Sequence, residues 1–328
     1  MKRLFLVALS LATPFAVMAQ TTVFSDNFTG ASTIQSATPG AGTASSADYE
    51  VFTAGGAPAG YNLAANDLTL ASPVTGSALA EVAARFGGTP VALATVGDYV
   101  TLSFVFADTA NVLLAGQNAN ASINIGLFNS GGVNLNQGLQ LNAGTTTGGS
   151  QTYLGYVGRM MLNGNASGYN RNTQGANGTT SQNQDLLFNN ASSSGAFNSP
   201  TGANYTGASG GSTGFTSGLT QGASYTYSLT ITLTAANAVL VNEKLFDSGN
   251  NQLINFSGTS TSGAYLGSTF DAFAVGFRYA AAAGTGGTLD INQITVQNFI
   301  QQVPEPSSMA ILGLAALGLS MGYRRFRR

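Results

Sequence analysis

Apolar and polar residues alternate along much of this chain, which is the pattern of half-buried β-strands. The longest example covers residues 225–234, where aromatic and aliphatic side chains alternate with Thr and Ser hydroxyls. A helix could not keep these two sets on separate faces, because side chains repeat every 3.6 residues in a helix and every two in a strand. The same alternation predicts strands within 23–28, 100–106, 123–127, 138–142, 152–161, 239–246, 273–279 and 289–299.

Together these segments predict an all-β domain over residues 20–302. About ten strands with one apolar face each, and no helical crossovers between them, favour two antiparallel sheets packed as a jelly-roll sandwich. A short helix is expected only within 77–86. Residues 165–222 interrupt the pattern with Asn, Ser, Gly and Thr. Such a polar insertion is typical of surface loops.

The N-terminus has the organisation of a secretory signal peptide. Lys2 and Arg3 precede an apolar run over 4–17, and small residues flank Met18. This order of basic, apolar and small-x-small segments predicts export, with cleavage after Ala19. The alternative, a buried N-terminal helix, fits the basic leader less well. The first 19 residues are therefore assigned to a signal peptide.

The C-terminus, residues 303–328, carries a second targeting pattern. Pro304, Glu305 and Pro306 precede an apolar stretch over 309–323, and the chain ends with four basic residues, Arg324, Arg325, Arg327 and Arg328. A fifteen-residue helix is about 22 Å long, which is short for a hydrocarbon core of about 30 Å. The arginines favour the cytoplasmic side of the membrane, which leaves the Pro-Glu-Pro on the opposite side.

This tripartite order resembles the PEP-CTERM sorting signal of Gram-negative bacteria that make extracellular polysaccharide. The resemblance implies that an exosortase, a membrane cysteine protease, recognises Pro304, Glu305 and Pro306 and processes the chain as its substrate. It also implies an intermediate anchored in the inner membrane, followed by a location at the cell surface or outside the cell. The alternative is a plain membrane anchor behind a stiff linker. Proteins with this tail have also carried an ice-binding label, which concerns the tail and not the body.

Composition narrows the chemistry that the body can perform. Only 7% of the residues are charged, against about 25% in an average protein, and the chain has no His, Cys or Trp. These absences exclude disulfides, zinc sites built on Cys or His, and Ser-His-Asp or Cys-His nucleophiles. Residues 20–302 contain five basic and twelve acidic residues, a net charge of −7. Such a body offers no basic patch for phosphates, so nucleic acid is not an expected partner.

The segments at 24–28 and 289–296 resemble the first and last strands of concanavalin A-like, or LamG-like, jelly rolls, where these two strands pair. The resemblance implies a fold and no particular activity. If the two strands pair, Asp26 and Asp290 are expected to come together. Carboxylates suffice as ligands for Ca²⁺, so this pair is the candidate metal site and Ca²⁺ the only candidate cofactor.

A glycosidase needs two facing carboxylates, and the candidates are few. Glu243 and Asp247 lie four residues apart, Glu50 follows Asp48, and Glu81 lies four residues before Arg85. None of them forms the Glu-x-Asp-x-Glu pattern of jelly-roll glucanases. We expect Glu81 to pair with Arg85 on a helix and Glu243 to be a solvated residue at a strand end. The prediction is that the protein is not an enzyme.

The sequence therefore predicts an exported, non-catalytic surface or extracellular-matrix protein, associated with exopolysaccharide, biofilm structure or adhesion. The first alternative is a secreted carbohydrate-binding or carbohydrate-active protein. Its binding surface would need aromatic platforms, for which Tyr61, Tyr169, Tyr205 and Tyr265 are the candidates. The second alternative is an ice-binding protein, suggested by the hydroxyl row at 226–234. One row is not sufficient, since an ice-binding face needs adjacent rows.

Overall fold

In a computed structural model of the chain, every regular element described is a β-strand. The structure describes residues 20–28, 50–54, 61–64, 67–71, 77–86, 89–109, 122–133, 139–141, 153–161, 166–171, 186–187, 205–207, 209–213, 219–262, 265–280 and 288–301. The predicted signal peptide and the C-terminal helix lie outside these ranges. Within them, no helix is long and apolar enough to cross a membrane.

The strands, numbered in chain order, form two large sheets and one small one. The nine-stranded sheet contains β1 (Gln20–Asp26), β3 (Tyr61–Ala64), β4 (Asp67–Ala71), β7 (Tyr99–Asp108), β13 (Ser209–Thr213), β14 (Ser224–Ala235), β15 (Ala238–Asp247), β16 (Gln252–Ser260) and β19 (Thr288–Phe299). The eight-stranded sheet contains β2 (Glu50–Ala54), β5 (Ser77–Arg85), β8 (Ser122–Asn129), β9 (Leu139–Leu141), β10 (Leu154–Met161), β11 (Ala166–Arg171), β12 (Tyr205–Gly207) and β18 (Ala272–Ala280). The short strands β6 (Val91–Ala92) and β17 (Thr269–Phe270) pair with each other.

The prediction of two antiparallel sheets is confirmed. Neighbours in the nine-stranded sheet follow the order β13-β16-β15-β14-β7-β19-β4-β3, and β1 pairs with the remaining length of β19. The first and last strands of the domain therefore pair, as the jelly-roll resemblance implies. In the eight-stranded sheet the order is β12-β11-β10-β8-β18-β5-β2-β9, and the described pairings are antiparallel except that of β2 with β9.

One hydrophobic core lies between the two sheets. Alternate residues of the strands are apolar, and these residues form the inward face of each sheet. In β7 and β14 every second side chain is buried and the others are half-buried or exposed. The ring centroids of Phe24, in the nine-stranded sheet, and Phe273, in the eight-stranded sheet, lie 5.0 Å apart. This contact joins the first strand to the opposite side of the core.

The prediction of a helix within 77–86 is wrong, because this segment is strand β5. Its Ala-rich sequence favours a helix by intrinsic propensity. In the structure β5 pairs with β18 on one side and β2 on the other, and residues 80–84 are all buried. A strand buried on both faces shows no alternation, so its periodicity could not separate it from a buried helix.

The eight-stranded sheet is covered on its outward side as well as on its core side. In β8, every residue from Ser122 to Phe128 is buried. Leu186 and Leu187, from the middle of the polar insertion, are themselves fully buried, and a Leu187 methyl packs over Gly126 of β8. This part of the insertion is therefore a cover on the sheet and not the surface loop expected from its composition.

Candidate functional site

The solvent-facing side of the nine-stranded sheet, which we call the outer face, carries a regular array of mostly uncharged polar groups. Strand registers place its side chains in rows that run across the strands. One row contains Thr22, Gln297, Thr101, Thr230, Asn242 and Ser257. The next row contains Ser25, Thr295, Ser103, Ser228, Lys244 and Asn255. Neighbouring strands are about 4.8 Å apart and neighbouring rows about 6.7 Å apart.

Several of these groups bind each other. The hydroxyl oxygens of Thr101 and Thr230 lie 2.9 Å apart, and the amide of Gln297 donates to the Thr22 hydroxyl at 3.4 Å. The amide of Asn242 donates to the carbonyl of Phe256 at 2.9 Å. Lys244 is the single charged residue in the two rows. The two rows therefore offer many hydrogen-bonding groups at fixed spacing with one charged side chain among them.

A pair of aromatic residues lies at one end of the outer face. The rings of Tyr99 and Phe299 stack with centroids 5.0 Å apart and planes 7° apart. Phe299 is the last residue of β19 and lies opposite Gln20, the first residue of β1. Of the four tyrosines considered as sugar platforms, the structure describes the side chain of Tyr265, which is partly buried against the core.

The two carboxylates considered for a glycosidase pair do not face each other. Glu243 is fully buried between the sheets, where the Tyr227 hydroxyl donates to its Oε2 at 2.5 Å. The expectation that it is a solvated strand-end residue is therefore wrong, because inward positions of β15 alternate with outward ones and Glu243 occupies an inward one. Asp247 is the last residue of β15 and accepts hydrogen bonds from Asn251, which follows the hairpin turn.

Burial raises the pKa of the Glu243 carboxyl well above its ordinary value, since a charge there would lose its hydration. The hydrogen bond from Tyr227 opposes this shift without cancelling it. At Asp247 the hydrogen bonds from Asn251 instead lower the pKa of the carboxyl. The sequence spacing did not reveal this contrast, because it depends on which face of the strand each residue occupies.

The expected ion pair between Glu81 and Arg85 is also wrong. Because β5 is a strand, four residues separate these side chains by about 13 Å. Glu81 accepts the backbone N–H groups of Leu186 and Leu187 at 2.9 and 3.2 Å, which holds the insertion against the sheet. Arg85 pairs with Asp271 at 3.1 Å. The side chains of Asp48 and Glu50 lie outside the described residues.

The structure does not bring Asp26 and Asp290 together, although their strands pair. Asp26 lies opposite Ile294, four residues or about 13 Å along β19 from Asp290. Asp26 is buried and accepts the N–H of Phe28 at 2.7 Å, whereas Asp290 is half-buried on the outer face. No group of three or more acidic residues able to hold a metal ion occurs in the described part of the chain.

Asp290 instead neighbours Asp67, which sequence reasoning missed. Thr69 of β4 lies opposite Asp290, and Asp67 precedes it by two residues on the same face. Partial burial and the Asp290 charge both raise the pKa of the Asp67 carboxyl, while a hydrogen bond from Thr69 lowers it. The only signal in the sequence was the Asp-x-Thr alternation of β4, which does not identify its partner strand.

The predicted sorting residues, Pro304 to Pro306 and the terminal arginines, lie outside the described residues. Comparison of the sequence with protein families identifies a PEP-CTERM protein-sorting motif over residues 302–328. The chain thus carries the predicted sorting signal. The motif implies export, an anchored intermediate and processing by an exosortase, for which the chain is a substrate. No curated protein matches the sequence.

Among solved structures, similar folds include legume lectins and a lyase. Basic winged bean lectin with Tn-antigen matches at 10% identity and a TM-score of 0.38, over 85% of this chain and 98% of the lectin. Peanut lectin with a 9mer peptide matches at 11% identity and a TM-score of 0.34, over 77% and 93%. The alginate lyase from Klebsiella pneumoniae matches at 11% identity and a TM-score of 0.33, over 72% and 83%.

Proposed function

We propose that this protein is an exported, non-catalytic surface or matrix protein whose outer face associates with hydrated polysaccharide. The observation that carries the proposal is the pair of adjacent rows of Ser, Thr, Asn and Gln on the outer face, in a chain that ends in a sorting motif. Hydroxyl and amide groups at fixed spacing can exchange hydrogen bonds with a neutral polymer over a large area. Because each contact is weak, affinity would come from many contacts made at once.

The two rows contain a single charged side chain, Lys244, which suits such a partner. A sugar polymer with few ionic groups gains little from salt bridges, and charged side chains would have to be dehydrated on contact. The proposed association needs neither a cofactor nor a bound metal. A role in biofilm structure or adhesion would follow from where the protein is placed and how much surface it presents.

The binding part of the proposal can be tested by affinity electrophoresis in gels that contain exopolysaccharide purified from the host. The wild-type chain is expected to be retarded. Replacing Thr101 and Thr230 by Glu places two like charges in the middle of the outer face and should abolish retardation. Ser248→Glu, in the exposed turn after β15, is a matched control that should leave it unchanged. Equal retardation of all three chains would refute association through this face.

Sorting is tested separately by fractionating cells that express Glu305→Ala or a chain without the terminal arginines. Both variants should accumulate in the inner membrane, because the exosortase would lose its recognition element or the signal its cytoplasmic stop. Unchanged release at the surface would contradict the sorting role. Because this experiment does not involve the outer face, its outcome is independent of polysaccharide binding.

Ice binding is a second candidate, favoured by the presence of adjacent rows in place of a single one. Two observations weaken it. The Thr101 and Thr230 hydroxyls share a hydrogen bond, which takes up one donor of the pair, and Asn, Gln and Lys interrupt the rows. Thermal hysteresis of the wild-type chain, lost in the Thr101→Glu/Thr230→Glu variant, would support this candidate over polysaccharide association. A carbohydrate-active enzyme would instead release reducing ends from the same exopolysaccharide.

A further inference from the structure

The two ends of the described domain leave the sandwich side by side. Gln20 at the start of β1 lies opposite Phe299 at the end of β19, and Phe299 lies opposite Tyr99 at the start of β7. We call this side of the sandwich the exit end. Besides the two chain ends, it comprises the loop at 94–97 and the end of the β14–β15 hairpin at 235–237. The loop is joined to β14, because the N–H of Gly97 donates to the carbonyl of Leu233 at 2.8 Å.

The described positions just named carry no exposed charge and include exposed apolar groups. Val96 is 58% exposed, more than any other large apolar side chain described. The stacked rings of Tyr99 and Phe299 belong to the same end and are half-buried, and Ala235 and Ala236 are exposed where β14 ends and the turn begins. Among the two chain ends, residues 94–99 and residues 235–237, the one charged residue described is Asp98, which is fully buried and binds backbone N–H groups with both oxygens.

The opposite end of the nine-stranded sheet carries acidic side chains that reach water. Strand β15 begins at the exit end and ends at Asp247, which lies at the surface before the exposed turn at 248–250. Strand β19 likewise begins at that opposite end, near Asp290. The acidic side chains that reach water on this sheet are therefore displaced from the exit end.

The length of chain that follows indicates what the exit end faces. Seven residues, 302–308, separate Gln301 from the apolar stretch at 309–323. Fully extended, they span at most about 25 Å. On the other side, the predicted signal peptide ends at Ala19, directly before β1. Once the C-terminal stretch is inserted, the exit end is held close to the bilayer, where even a weak contact is favoured by high effective concentration.

We propose that the exit end rests on the lipid surface while the chain is anchored, with Val96, Tyr99 and Phe299 at the headgroup level. Amphipathic rings are enriched at membrane interfaces, and an uncharged surface avoids both the cost of burying charge and repulsion from anionic lipid. The strands of the domain then point away from the membrane, and the outer face remains accessible along its length. This inference rests on membrane insertion of the sorting tail, which belongs to the proposed function.

The test uses the two hairpin turns at opposite ends of β15, and it benefits from a chain that has no cysteine. Full-length Asn237→Cys and Ser248→Cys are spin-labelled and incorporated into vesicles of phosphatidylethanolamine and phosphatidylglycerol. Collision rates with oxygen and with a water-soluble nickel chelate are measured on the fraction that floats with the vesicles. The label at 237 should be shielded from nickel and the label at 248 should not. Equal access of nickel to both labels, or equal shielding of both, overturns the proposal.

A second comparison examines the apolar contact itself. In the chain labelled at 237, Val96→Ser should lower the ratio of docked to undocked domain by about fivefold, as expected for removing a partly exposed Val from a lipid contact. Val96→Leu should retain the shielding. Phe246→Ser, which removes an aromatic ring near the far end of β15, should also leave it unchanged. Failure of the sorting tail as an anchor would be recognised separately, because the chain would then not float with vesicles under any substitution.

Discussion

The Tyr227 hydroxyl donates a 2.5 Å hydrogen bond to Glu243 Oε2 between the two sheets, where both side chains are fully buried. The other carboxyl oxygen, Oε1, is buried and has no hydrogen-bond partner. An ionised carboxylate in this place would lose its hydration, and the hydrogen bonds from the Tyr227 hydroxyl and the backbone of Arg159 do not offset that loss. Burial therefore raises the pKa of the Glu243 carboxyl well above its ordinary value and favours its neutral form in the folded protein.

This arrangement makes stability depend on pH. The pKa of Glu243 is raised in the folded state, so its contribution to stability is complete below the unfolded pKa of about 4.3 and is lost as pH rises. Between the unfolded-state and folded-state pKa values of Glu243, the free energy of unfolding should fall by about 1.4 kcal/mol per pH unit. Glu243→Gln should remove this slope and stabilise the chain at pH 7, as measured by urea unfolding in mild detergent between pH 4 and pH 8.

Asp247→Asn is the matched control, because Asp247 lies on the same strand with its carboxyl in water. Its pKa is lowered by Asn251, so its contribution is present at neutral pH and is lost only as pH falls through the folded-state pKa. The substitution should leave the slope between pH 5 and pH 8 intact. A Glu243→Gln chain that keeps the wild-type slope would show that Glu243 is ionised in the folded protein.

Gly158 is the residue that makes room for the Glu243 side chain. A Cβ atom at this position would lie 2.6 Å from Glu243 Cδ and 2.8 Å from Cγ, closer than non-bonded carbons approach. Gly158→Ala should therefore lower the free energy of unfolding by about 1–3 kcal/mol. In a Glu243→Ala background the same substitution should cost little or become stabilising, because the methyl group then fills vacated space. Additive effects of the two substitutions would contradict this packing.

Glu81 connects the polar insertion to the eight-stranded sheet. Glu81→Gln replaces one acceptor oxygen by an amide donor, so one of the N–H groups of Leu186 and Leu187 loses its partner. Such a loss costs about 1–3 kcal/mol, and we expect hydrogen exchange at these two amides to accelerate at least about tenfold. Arg85→Gln should not change their exchange, because Arg85 pairs with Asp271. Equal acceleration by both substitutions would mean that the effect is general loss of stability.

Asp67 and Asp290 place two acidic side chains near each other on the outer face. Because the pKa of Asp67 is raised, its favourable contribution is present below about pH 3.9 and is lost as pH rises. Asp67→Asn should raise the melting temperature at pH 7 and not at pH 3. Water screens this partly exposed pair, so the gain should stay below about 1 kcal/mol. In an Asp290→Asn background the gain at pH 7 should be smaller, and an unchanged gain would exclude the role of the Asp290 charge.

The sandwich could be predicted from the sequence because its half-buried strands alternate strictly. In β14, every second residue from Tyr225 to Leu233 points inward and the residues between them point outward, as the pattern indicates. Strand β5 could not be recognised, since both of its faces are covered and its Ala-rich sequence also suits a helix. The roles of Glu81 and Arg85 were lost with it. Because β5 was expected to be a helix, Glu81 and Arg85 were expected to pair, and both expectations were wrong.

The candidate site was less predictable, because it depends on register. The pairing of β1 with β19 was expected, but the sequence does not say that Asp26 lies opposite Ile294. Asp290 therefore lies four residues along β19 from the residue that Asp26 faces. The rows of the outer face likewise need the alignment of six strands, which no single segment contains. The sorting motif was recognised directly, because its residues are contiguous in the chain.

Asp98 fixes the last described residues of the domain, and its removal provides a final prediction. Its Oδ2 accepts the N–H groups of Ala94 and Thr95 at 2.9 and 2.8 Å, and its Oδ1 accepts the N–H of Gln301 at 2.7 Å. Asp98→Ala leaves three N–H groups without their acceptor, so the free energy of unfolding should fall by several kcal/mol, at about 1–3 kcal/mol for each group that stays buried. Asp98→Asn keeps one acceptor oxygen and should lose less.

Hydrogen exchange resolves this effect by position. If Asp98 holds the chain at the exit end, the amide of Gln301 should exchange faster in Asp98→Ala even under conditions where the amides of β14 keep their protection. The amides of Ala94 and Thr95 should respond with it, because they share the same carboxylate. Exchange that rises equally in β14 and at Gln301 would mean that Asp98 supports the whole fold. The chain would then lack a local clamp seven residues before Ser308, where the polar spacer ahead of the apolar stretch ends.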